Sequence, residues 1–70
     1  MTTHAPVLPL WLCEGCDRPW PCATRRAELL TEHEQVPLAY YMSLCLISAG
    51  QDMSWAPPDV LRRRFIGWLP

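Results

Sequence analysis

Cys13, Cys16 and Cys22 crowd into ten residues of the run W-L-C-E-G-C-D-R-P-W-P-C. Thiols at this spacing suit a shared metal ion better than a disulfide. Two intervening residues, Glu14 and Gly15, let the first pair turn both thiolates toward one point, and a positive φ at Gly15 is expected to close the loop. Pro19 and Pro21 stiffen the five residues that return Cys22 to the same point. A redox pair would need a strand-helix-strand setting around Cys13 and Cys16, and none is evident in the sequence.

Structural zinc takes four protein ligands, so one more donor is needed from His4, His33 or Cys45. His33 lies eleven residues beyond Cys22, or about 16 Å along a helix at 1.5 Å per residue, and is out of reach unless that helix breaks. Cys45 falls on an apolar helical stripe, where a free cysteine ordinarily packs as a small hydrophobe. An antiparallel pairing of the first two helices would bring it level with Cys22, so it stays the alternative fourth ligand. His4 sits on an N-terminal arm with eight residues to spare before Cys13. It is the preferred ligand, giving three thiolates and one imidazole.

Three helices are expected to carry this loop. Residues 23–33 are helix-tolerant, with Ala23, Ala27 and Leu30 on one face and Cys22 at the positive end of the dipole, which favours a thiolate. Pro37 suits the first turn of a second helix, in which Leu38, Tyr41, Met42, Cys45, Leu46 and Ala49 form a buried stripe and Gly50 provides the stop. Pro58 and Asp59 open a third helix, whose Leu61 and Phe65, with Trp68, dock on the second. The fold class is mainly α: a single domain over 1–70, with an arm and zinc-knuckle loop in 1–22 capping a three-helix body in 23–70.

Composition narrows what such a body does. At 70 residues, apolar burial barely offsets the conformational entropy of about 1.5 kcal/mol per ordered residue, and a metal supplies the missing stabilisation. The net charge is −1 and all six basic residues are arginine. That balance gives no global field toward nucleic acid, although Arg25 and Arg26 with Arg62, Arg63 and Arg64 make a small candidate patch. Gly15, Gly50 and Gly67 are scattered and form no phosphate-cradling turn. No apolar run reaches the roughly 20 residues of a membrane span. The first residues lack the charged head and apolar run of a secretory signal, so a cytoplasmic location is expected. An Arg-only, Ala- and Pro-rich composition points to a GC-rich, actinobacterial source. Trp11, Trp20, Trp55, Trp68, Tyr40 and Tyr41 exceed what so small a body can shield, so an exposed aromatic face for a protein partner or for self-association is expected.

The string Trp11-x-Cys13-x-x-Cys16-x-x-Pro19-Trp20-Pro21-Cys22, the Leu38-Ala39-x-Tyr41-Met42 segment and the closing Leu61-x-x-Arg64-Phe65-Ile66-Gly67-Trp68 resemble a group of short actinobacterial proteins. Many of these carry the label "flavin reductase". The resemblance covers nearly the whole chain and implies flavin and nicotinamide chemistry as one alternative function. It also implies a histidine upstream of the knuckle, matched here by His4, and no ligand at position 45. A second, partial resemblance is to WhiB-like iron–sulfur regulators, whose last three cluster ligands share the Cys-x2-Cys-x5-Cys spacing. It implies an iron–sulfur cluster and DNA binding, with His4 or Cys45 replacing the upstream cysteine that this chain lacks. The residues themselves favour a structural zinc ion in a small accessory or regulatory module, with no catalytic residues assigned.

Overall fold

The computed structural model describes residues 2–70. Its element order is β1 (Pro6–Val7), β2 (Leu12–Cys13), α1 (Ala23–Glu32), α2 (Gln35–Asp52) and α3 (Pro58–Phe65). The protein is a small three-helix body with a Cys/His cluster ahead of the helices.

The two short strands pair antiparallel, Pro6 with Cys13 and Val7 with Leu12. A second hairpin is nested beside them. Leu12 bridges Pro19, Trp20 N–H donates to Trp11 O at 2.8 Å, and Cys13 N–H donates to Arg18 O at 2.6 Å. Glu14 to Asp17 form the tip. The expected positive φ at Gly15 is not present; the left-handed residue of this loop is Asp17, with φ 60°. Aspartate tolerates that region because its short polar side chain does not crowd the backbone.

Helix α1 starts at its N-cap, Cys22, whose Sγ accepts from Arg25 N–H at 3.4 Å. The face that the sequence marks with Ala23, Ala27 and Leu30 is not the one that packs: these three are exposed and Leu29 is fully buried. The thiol sets this rotation. With Cys22 turned inward, the residues one and two turns on are Arg26, which donates to Pro21 O at 2.9 Å, and Leu29.

Helix α2 follows after only His33 and Glu34. Pro37 occupies its first turn, as expected. Leu38, Met42, Cys45 and Ala49 are buried, Leu46 is half-buried, and Tyr41 is exposed rather than part of the stripe. Gly50 does not end the helix, which continues to Asp52. The extra half-turn is held by the Asp52 carboxylate accepting from Trp11 Nε1 at 2.8 Å and by the buried Met53 that caps it.

Helix α3 has Pro58 in its first turn, with Asp59 there too, and packs Leu61 and Phe65 against α2. Trp68 lies beyond the helix end but still packs against the core.

The centre of the core comes from the knuckle. Trp11 and Trp20 are buried and meet Phe65 in a three-ring cluster, with centroids 5.4 to 6.1 Å apart. Two of the aromatics expected on an exposed face are therefore internal. Edge and tilted contacts of this kind add about 0.5–1.5 kcal/mol per pair to the burial of the rings. Trp11 holds a φ of 54°, which costs a bulky residue on the order of 1–3 kcal/mol. Burial of its indole and the bond to Asp52 offset that strain. Among the described residues, no helix is long and apolar enough to cross a membrane.

Candidate metal centre

Four stretches of backbone each deliver one donor. The β2 strand carries Cys13, buried; the hairpin tip carries Cys16, exposed; the N-cap of α1 carries Cys22, buried. The arm ahead of β1 carries His4. One ligand atom from each of His4, Cys13, Cys16 and Cys22 lies within 4.8 Å of the others. His4 Nδ1 is 3.1 Å from Cys13 Sγ and 3.4 Å from Cys22 Sγ.

These separations fit a single ion. Zinc–sulfur bonds near 2.3 Å and zinc–nitrogen bonds near 2.0–2.1 Å at tetrahedral angles give donor–donor edges of about 3.6–3.8 Å. The cluster spans nearly that size, and its donor set of three sulfurs and one imidazole nitrogen is a thiophilic tetrahedral set. All four cysteines are free thiols, with no disulfide competing for the sulfurs.

The arm does not reach the knuckle by chance proximity. His4 N–H donates to Thr2 Oγ1 at 3.0 Å, and that hydroxyl donates to Glu28 Oε1 on α1 at 2.7 Å. Trp20 Nε1 donates to His4 O at 2.9 Å, and Glu14 N–H donates to Ala5 O at 2.8 Å. Four hydrogen bonds thus fix both sides of the histidine backbone. The Glu28 carboxyl is held below the usual carboxylate range, first by the Thr2 hydroxyl and then by Arg25, which contacts it at 3.1 Å.

Gly15 matters for a reason other than its φ. A Cβ there would stand 2.8 Å from Thr3 O and 3.1 Å from the His4 ring. Glycine is what lets the arm lie flat on the hairpin tip.

Arg64 is a residue that sequence reasoning placed in a basic patch and the fold uses otherwise. Its Nε donates to Trp20 O at 2.8 Å, and its Nη2 donates to Leu10 O at 3.3 Å and to Trp11 O. The guanidinium also lies 5.2 Å from the Phe65 ring centroid. One α3 side chain therefore satisfies carbonyls on both strands of the hairpin that frames Cys13. Burial pulls the Arg64 pKa below its ordinary value. The only hint in the sequence was an arginine directly before a buried-stripe phenylalanine.

The other candidates stand apart. Cys45 is buried on α2 and is not a member of the four-residue group. Burial raises its thiol pKa. His33 caps the end of α1 and stacks on Tyr41, with ring centroids 6.1 Å apart. Arg25 pairs with Glu28 and Glu32, and Arg63 pairs with Asp59. No protein family, curated protein or solved structure matches the chain.

Proposed function

We propose that the chain is a small zinc-stabilised interaction module, an accessory or regulatory protein of the cytoplasm whose metal is structural. The observation that carries this reading is the convergence of His4, Cys13, Cys16 and Cys22 within 4.8 Å. Four protein donors saturate a tetrahedral ion and leave no position for a substrate or water, which is the pattern of a structural rather than a catalytic site. Zinc is favoured over a cluster because so tight a group suits one ion, whereas an iron–sulfur cluster spreads its thiolates over two or more irons.

A protein partner is favoured over nucleic acid by the fate of the arginines. Arg25 and Arg63 are paired with carboxylates, and Arg26 and Arg64 donate to backbone carbonyls. Of the candidate basic patch, Arg62 is left free of such partners among the described residues, a thin footprint for phosphate binding. Exposed Trp55, Tyr40, Ile47 and Val36 offer apolar contact area instead.

Elemental analysis and a visible spectrum of protein purified under reducing, anaerobic conditions test the metal. One zinc per chain in a colourless sample is expected. Iron with visible absorption would replace this reading with the iron–sulfur one.

A further inference from the structure

Helix α2 is apolar on two opposite faces. One face holds Leu38, Met42, Cys45 and Ala49 in the core. Half a turn around, Val36, Tyr40, Leu44 and Ile47 are 79%, 69%, 47% and 61% exposed. From Tyr40 these positions run 40, 44, 47, the four-then-three spacing of a helix that packs along another helix. Tyr41, 40% exposed, lies beside them and widens the apolar face. A contiguous exposed apolar face of this kind marks an interaction surface.

We infer that a second copy of this chain covers this face: two α2 helices pack antiparallel about a two-fold axis between Ser43 and Leu44. The inference rests on the reading of the chain as an interaction module and names its partner. Two further observations favour a copy of itself. From Gln35 to Gln51 the helix carries no charged residue, so two copies meet without like-charge repulsion along the whole seam. The ends are complementary in the antiparallel sense. About the axis named, Tyr40 faces the second copy's Ile47, and Val36 faces its Gly50 and Gln51. Gly50 has nothing within 4 Å of where its Cβ would be, and with Ser43 it lets the backbones approach closely. A groove of about 350 Å³ lined by Ile47, Gly50, Leu61 and Arg62 lies at that end. It receives Val36, and the neighbouring Glu34 meets Arg62. Neither Glu34 nor Arg62 has an ion-pair partner among the described residues.

Sedimentation velocity of the zinc-loaded full chain over a concentration series, with metal content measured on the same samples, tests this. A species of twice 8.1 kDa is expected. Ile47→Glu and Tyr40→Glu each weaken the dimer by about 30-fold or more without changing bound metal or the helical spectrum. Glu34→Arg and Arg62→Glu each weaken it severalfold, and the two together restore it. A folded, zinc-loaded monomer at the highest concentration overturns the dimer and leaves the module reading standing. A dimer unaffected by Ile47→Glu overturns this interface. A dimer lacking metal supports the interface and overturns the zinc-stabilised reading instead.

Discussion

The arm and knuckle, residues 2–22, and the α2–α3 pair are ordered by different physics. In the helices, regular apolar spacing buries Leu38, Met42, Leu61 and Phe65, and each such side chain contributes about 1.5–3 kcal/mol. The knuckle has two residues per strand and leaves Val7, Leu8, Leu10 and Leu12 in water. What orders it is polar and directional: the four-donor cluster, the bonds around His4 and the Arg64 clamp. Yet the regions are not independent, because Trp11 and Trp20 complete the core around Phe65. A lid that fills the box it covers cannot be lifted without emptying the box.

Metal removal breaks this comparison most severely. Structural zinc contributes apparent free energies of about 10–16 kcal/mol in small modules, comparable with the whole stability of a small domain at about 5–15 kcal/mol. Chelation under reducing conditions is therefore expected to abolish the cooperative melt of the helices as well as the knuckle, followed by circular dichroism. A helical melt with an unchanged midpoint after verified metal loss would mean that the body folds without its lid. Cys13→Ser should lose the ion and Cys45→Ser should keep it, read as zinc per chain.

Arg64→Met comes next. It leaves the Trp20 and Leu10 carbonyls without their side-chain donor and the Trp11 carbonyl with the Trp20 N–H alone, at an expected cost of about 2–4 kcal/mol in chemical denaturation. Arg64→Lys should recover little, since one ammonium cannot replace a planar fork of donors. Full rescue by lysine would reduce the clamp to a simple charge.

A single chemical change, glycine to alanine, should have opposite signs in the two regions. Gly15→Ala forces a Cβ against Thr3 O and the His4 ring and is expected to weaken metal binding by about 10–100-fold, as loss of ligand positioning does. Gly50→Ala meets open space inside α2 and is expected to stabilise by about 1 kcal/mol, measured at dilution where the chain is monomeric.

The smallest effect concerns alkaline pH. Burial raises the pKa of the Cys45 thiol and of the Tyr41 hydroxyl above their ordinary values. The unfolded chain then releases these protons first, so their contribution is complete below an unfolded thiol pKa of about 8.5 and declines as pH rises through the folded value. Cys45→Ala should flatten the decline in unfolding midpoint above that pH, leaving the portion due to Tyr41. An identical slope in the variant would remove Cys45 from the account.

Much of the local structure was written in spacing. Two residues between Cys13 and Cys16 hold both thiols to one side of a tight loop, and Pro37 and Pro58 mark first helical turns because a missing N–H costs nothing there. The α3 stripe of Leu61 and Phe65 and the α2 stripe of Leu38, Met42, Cys45 and Ala49 follow from 3.6 residues per turn. These features depend on neighbours within about two turns, where bond geometry leaves few choices.

Longer-range features were not legible in this way. Whether Leu29 or Leu30 faces inward depended on the rotation imposed by Cys22, and α2 passed Gly50 because Trp11, forty-one residues earlier, bonds Asp52. Arg64 looked like surface charge until the fold set three carbonyls around it. The sequence by itself determined which residues could ligate an ion and where helices begin. Only the tertiary structure decided that the His4 arm lies on Gly15, that two tryptophans serve as core, and that one face of α2 is left bare, because each is an encounter between segments that local geometry leaves free to move apart.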